Sequence, residues 1–137
     1  MATFNLELVS PEKLLLSRPV EMVIIPAAEG EMGVLPGMAP MIVALRGGVI
    51  QVQENGQITE KLFVMGGFVE ITPARVTVLA DEATPVAQLS RAEASARVRE
   101  AEAAYNQAAS GEAPEVREAA MDRLLAAREM ETAAEAA

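Results

Sequence analysis

The sequence predicts a sandwich or barrel of short, mainly antiparallel strands followed by an α-helical hairpin. The prediction rests on a change of pattern near Ala83-Thr84-Pro85. Before it, β-branched residues alternate with polar ones and Gly and Pro recur. After it, Ala, Glu and Arg dominate, and only Gly111 and Pro114 interrupt. Many short strands separated by turn signals close into sandwiches or barrels. No long helical pattern lies between them, which argues against a parallel sheet with crossover helices. The expected division is residues 1–84 for the β unit and 85–137 for the hairpin.

The strands follow in order. Phe4, Leu6 and Leu8 alternate with Asn5, Glu7 and Val9, so one face is apolar. Leu14-Leu15-Leu16 is a second short run. Val20 to Ile25 is almost continuously apolar, the pattern of a strand covered on both faces. Pro40 to Leu45 and Val49 to Gln53 are separated by Arg46-Gly47-Gly48, which reads as a tight connection. Asn55-Gly56 is the strongest hairpin signal in the chain, because both residues tolerate φ > 0. Its arms are Val49–Gln53 and Ile58–Met65. Phe68–Ile71 and Val76–Leu79 complete the set.

The helices carry their own punctuation. Ser90-Arg91-Ala92-Glu93 has the S-x-x-E form of a capping box. Ala94, Val98, Ala101, Tyr105 and Ala108 then fall on one helical face. Ser110-Gly111 is a stop, and Pro114 suits the first turn of a second helix. Val116, Ala120, Leu124 and Ala127 form that helix's apolar stripe, widened by Met121 and Leu125. Ala favours the helix but buries little area, so both stripes are thin. Two readings stand: a hairpin that detaches at low cost, or one packed permanently on the β unit.

Composition narrows the function. With 137 residues and 51% hydrophobic content, the chain can bury a core of ordinary size. No apolar run approaches the ~20 residues needed to cross a bilayer. There is no Cys or His, which removes disulfides, the usual zinc ligands, the commonest general base and two common nucleophiles. The net charge of −9 disfavours nucleic acid and anionic lipid and allows a basic protein partner. The start of the chain shows neither a signal region nor a transit peptide, so a bacterial cytoplasmic location is expected. No P-loop or nucleophile elbow is present, and the glycines suit turns rather than a phosphate cradle. No cofactor, metal or catalytic residue is expected. A binding or structural role follows, ahead of an enzyme built on a β-sandwich.

Four blocks carry a family resemblance. Glu29-Gly30-Glu31-Met32-Gly33-Val34-Leu35-Pro36-Gly37-Met38-Ala39-Pro40 resembles the signature E-G-x-x-G-x-x-P-G-H-A-P of the epsilon subunit of bacterial F-type ATP synthases. Leu6–Glu12 resembles that family's first strand and turn, Val64–Ile71 its glycine-containing strand pair, and Val76–Ala83 the end of its sandwich. The blocks occur in the family's order, and the helical tail completes the length. The resemblance implies a ten-stranded β-sandwich with a C-terminal helical hairpin. It implies a non-catalytic central-stalk subunit that couples c-ring rotation to ATP synthesis. The implied partners are the γ subunit, the polar loops of the c-ring and, through the helices, the α/β catalytic head. The implied location is the cytoplasmic face of the bacterial inner membrane, peripheral and not inserted.

The same resemblance nominates residues. The contact loop for the c-ring and γ falls on Glu31 and Met38, with Gly33, Pro36, Gly37 and Pro40 shaping it through their φ limits. Glu31 would pair with a basic ring residue. Met38 stands where the family usually has His, which replaces an imidazole hydrogen bond with adaptable apolar contact at a surface loop. Some members bind ATP through an I/L-D-x-x-R-A motif. Here Arg91 and Ala92 are kept, but Gln88 replaces the acid and Ala87 the leading aliphatic. The charged acceptor is lost, so no nucleotide site is expected there. In several bacteria the helices inhibit ATP hydrolysis. In this chain Arg117, Arg123 and Arg128 are outnumbered by Glu115, Glu118, Asp122, Glu129 and Glu131, which argues against strong inhibition. The alternative function is a nucleotide-sensing module without a motor role.

Overall fold

The computed structural model describes residues 2–109, 111 and 113–136, the last by its backbone alone. These residues form ten strands followed by two helices. The strands are β1 (Phe4–Val9), β2 (Leu14–Val20), β3 (Met22–Ala27), β4 (Gly30–Val34), β5 (Met41–Leu45), β6 (Gly48–Glu54), β7 (Gln57–Val64), β8 (Gly67–Ile71), β9 (Arg75–Ala80) and β10 (Ala83–Pro85). A single 3₁₀ turn, Val86–Gln88, leads to α1 (Arg91–Ala109) and α2 (Pro114–Ala136).

The strands form one curled sheet in the order β10-β7-β6-β3-β5-β8-β9-β1-β2, with β4 on the free side of β3. It folds over at the single pairing Ala27↔Leu45 between β3 and β5. One layer is then β4-β3-β6-β7-β10 and the other β5-β8-β9-β1-β2. Every pairing is antiparallel except β1 with β9, where Leu6 opposes Val76 and Leu8 opposes Val78. Period-2 alternation sends Leu6, Leu8, Val23, Ile25, Ile50, Val52, Val69, Ile71, Val76 and Val78 inward, all fully buried. On the far side the layers are tied by Arg18 of β2, whose Nε donates to Glu54 Oε1 of β6 at 2.7 Å.

The Asn55-Gly56 hairpin forms as predicted, with φ of 53° and 76° at the two turn residues and β6 paired to β7. Two expectations change. The apolar run Val20–Ile25 is not one strand. It breaks at Glu21, because β2 and β3 belong to different layers and the chain crosses between them there. Nor is β3 covered on both faces, since Met22 and Ile24 are only half-buried. The tight connection at Arg46-Gly47-Gly48 forms as predicted, β5 ending at Leu45 and β6 beginning at Gly48, and because β5 pairs with β8 and β6 with β7 it too changes layer. Its glycines admit close neighbours. A Cβ on Gly47 would lie 2.7 Å from Ala126 Cα of α2, and one on Gly48 2.7 Å from Pro26 Cβ.

The hairpin packs on the outer face of β6 and β7. Phe63 of β7 is buried among Ala94 of α1 and Met130, Ala133 and Ala134 of α2, with Val49, Met65, Val86 and Leu89 around them. Val98, Ala101 and Tyr105 of α1 meet Leu124 and Ala127 of α2. The Ser90 half of the capping box forms, Glu93 N–H donating to Ser90 Oγ at 3.2 Å. The buried face of α2 is rotated from the predicted stripe. Ala126, Met130, Ala133 and Ala134 join Ala120, Leu124 and Ala127, while Val116 and Leu125 are exposed. The cause is a second neighbour: α2 packs on the sheet as well as on α1. Of the predicted helix stop, Ser110 lies outside the described residues; Gly111 takes φ 151°.

Candidate docking surfaces

The segment nominated for ring contact is partly strand. Gly30–Val34 forms β4, an edge strand paired only with β3, and Glu31 sits on it opposite Pro26, exposed. Gly33 shapes nothing through its φ. It lies opposite Ile24 without positive φ, and a Cβ there would meet only Met22 Sδ at 3.9 Å. Gly37 does carry the turn: its φ is +82°, directly after Pro36, the combination a type II turn requires. The Gly37 N–H donates to Pro73 O at 2.9 Å, which anchors this loop to the β8–β9 connection. Met38 is divided between core and surface. Its side chain is half-buried against the core, and its Sδ accepts from the Leu35 N–H at 3.3 Å. Pro40 is exposed and immediately precedes β5, where its missing N–H costs no ladder bond.

A surface that sequence reasoning missed lies on the outer face of the second layer. Register aligns Ala44, Phe68, Leu79, Val9 and Leu14 as successive cross-strand partners over β5, β8, β9, β1 and β2. Within that row Phe68 is 57%, Leu79 50% and Leu14 55% exposed. The adjacent row runs Ile42, Glu70, Thr77, Glu7 and Ser17, with Ile42 exposed at its end. A contiguous apolar row on an otherwise polar face marks an interaction surface. One signal was present: Phe68-Val69 and Val78-Leu79 place apolar residues on both faces of their strands.

The motif remnant at the start of the hairpin is spread along the surface. Gln88 lies in the 3₁₀ turn, and Gln88, Arg91 and Ala92 are all exposed. Arg91 Nη2 donates to Glu135 O at 3.1 Å, joining the start of α1 to the end of α2. Nearby, Arg97 of α1 grips Glu82 with two bonds of 2.7 and 3.2 Å, a fork between the hairpin and the end of the sandwich. That hydrogen-bonded carboxylate raises the Arg97 pKa against partial burial. Among the described residues no polar or charged side chain is buried, and no group of three His, Cys, Asp or Glu side chains is placed to hold a metal ion. No helix among the described residues is long and apolar enough to cross a membrane.

Exposed apolar and acidic features on a stiff double layer, with a helical hairpin docked beside them, define a docking subunit whose chemistry is recognition. Comparison with known proteins agrees. The family model for the ATP synthase delta/epsilon chain β-sandwich domain matches residues 3–86. The ATP synthase epsilon chain of Granulibacter bethesdensis is 58% identical over 134 residues, 98% of each chain. That of Rhodospirillum rubrum is 44% identical over 130 residues, 92% of this chain and 96% of its own. A chain of the Euglena gracilis mitochondrial ATP synthase (OSCP/F1/c-ring) superposes with a TM-score of 0.77 at 25% identity, covering 97% of this chain and 82% of its own. A chain of the Tetrahymena thermophila mitochondrial ATP synthase central stalk and c-ring shares the fold, with a TM-score of 0.67 at 14% identity over 96% of each chain. The chain belongs to the epsilon-chain family of ATP synthases, as a non-catalytic subunit.

Proposed function

We propose that this chain couples rotation of the c-ring to ATP synthesis as the epsilon subunit of the central stalk, with the γ subunit seated on the apolar row of the outer sheet. The exposure of Phe68 and Leu79 as direct cross-strand partners carries this reading. A torque-bearing contact needs a rigid base, and these residues stand on paired central strands above a filled core. Glu31, exposed on edge strand β4, faces the polar loops of the c-ring and pairs with a basic residue there. The division falls near 84/85, at β10: the sandwich holds the rotor contacts, and the hairpin is a second unit whose acidic balance argues against strong inhibition of the α/β head. The subunit works at the cytoplasmic face of the bacterial inner membrane, held by its partners and not inserted. Against a nucleotide-sensing role stand the missing acid at Gln88 and the engagement of Arg91 by Glu135.

A tagged pull-down from detergent-solubilised membranes tests the assignment. The native chain is expected to recover γ with α, β and c. Phe68→Glu is expected to lose γ while keeping its fold by circular dichroism. Recovery of γ by Phe68→Glu at the native level would overturn the sheet-face site.

A further inference from the structure

We infer that the partner on the apolar row is gripped jointly by the sandwich and by α2, so that its affinity reports whether the hairpin is docked. This rests on the sheet-face reading above and adds a second wall to that site. At one end of the row, Ala44 and Phe68 line a cleft of about 550 Å³ with Asp122, Leu125 and Glu129 of α2. Leu125 is 49% exposed although its neighbours Leu124, Ala126 and Ala127 are all buried. Two large apolar side chains, Phe68 and Leu125, therefore flank one opening from different structural units, both exposed to solvent.

The charge of the cleft identifies what fits. Asp81, Asp122 and Glu129 border it, and among the described residues Arg46 is its one lining cation. Among the described residues none of the three carboxylates has an ion-pair partner, since the basic side chains that do pair, Arg18, Arg75 and Arg97, pair elsewhere. An occupant must bring an apolar side chain for Phe68 and Leu125 and a Lys or Arg for the carboxylates. A basic, apolar-tipped segment of the partner on the row meets both demands.

The cleft exists because α2 lies close to the sheet. Gly47 permits that approach, since any side chain there would meet the Ala126 backbone. When α2 leaves, one wall of the cleft leaves with it. Linkage then runs both ways: the bound partner stabilises the docked hairpin, and docking tightens the partner by the same factor.

The test uses full-length chain titrated with the purified γ subunit of the same complex. Leu125→Glu is expected to weaken binding about tenfold, because one packed apolar interface side chain is lost and a carboxylate must be desolvated against the partner's apolar tip. Arg97 does not line the cleft, so Arg97→Glu, which repels Glu82 and favours undocking, separates pose from contact. It is expected to weaken binding as well, and Leu125→Glu in that background is expected to cost less than in the native chain. Unchanged amide exchange in α2 shows that Leu125→Glu leaves the hairpin docked. If Leu125→Glu binds like the native chain while Phe68→Glu does not, the joint grip is overturned and the sheet face stands. If Phe68→Glu binds like the native chain, both fall. Full additivity of Arg97→Glu and Leu125→Glu overturns the dependence on pose.

Discussion

Gly67 begins β8 at φ +131°, and a Cβ there would strike the Leu79 carbonyl oxygen and lie 2.9 Å from Ala80 Cα. Backbone cannot yield as a flexible side chain can. Gly67→Ala is therefore expected to cost about 2–4 kcal/mol in urea unfolding. Gly30 is the control: φ is +141°, but nothing lies within 4 Å, so Gly30→Ala pays for conformation alone, about 1 kcal/mol. Equal costs at the two sites would refute the steric account. Glu54 supplies a pH term. The Thr59 hydroxyl donates to its carboxylate and lowers its pKa; partial burial opposes this, and Arg18 adds to the lowering. A carboxyl lowered in the folded state adds stability above its unfolded value, and that stability is lost as pH falls through the folded value. Acid unfolding of Glu54→Gln is accordingly expected to depend less on pH below about 4.3 than that of the native chain. Matching acid profiles would remove Glu54 from the account.

At the scale of elements, the hairpin depends on few contacts. Phe63 is the large side chain between sandwich and helices, and three of its four partners on the helices are alanines that bury little area. Phe63→Ala is expected to cost about 3 kcal/mol, concentrated in docking. Hydrogen exchange should then accelerate through α1 and α2 while β1, β8 and β9 keep their protection. Uniform acceleration would mean that hairpin and sandwich unfold as one cooperative unit. The Arg97–Glu82 fork contributes less, because both side chains are more than a third exposed and water screens the pair. Its value is geometric: it orients α1 on the end of the sandwich.

Over the whole molecule, the two layers serve different ends. One carries the hairpin on β6 and β7; the other presents the apolar row on β5, β8, β9, β1 and β2. Arg18 ties the layers where β2 meets β6, so load on one reaches the other through charged hydrogen bonds and a packed core. The docked α2 presents more acid than base, as Arg117, Arg123 and Arg128 are outnumbered among the charges of that helix. Removing residues 90–137 from the assembled complex is therefore expected to change ATP hydrolysis little, because an acidic helix is a poor ligand for an acidic head. A several-fold rise in hydrolysis would show that the hairpin inhibits in spite of its charge.

Local physics made much of this molecule readable in advance. Alternation at Phe4, Leu6 and Leu8 marked a buried face, Asn55-Gly56 marked a hairpin, and Ser90 with Pro114 marked two helix starts. Each depends on a residue's own backbone preference or on the period of one element. Family blocks supplied the number of strands and nominated Glu31. Which strands become neighbours is a non-local matter, and there the residues were silent. Only the folded sheet decided that the chain changes layer at Glu21 and at Gly47-Gly48, and that β4 is an edge strand. The same register aligned Phe68, Leu79, Val9 and Leu14 into one row, and the docked helix turned Leu125 outward beside it. Burial at these positions is a property of what packs against them, and that partner lies far away in sequence.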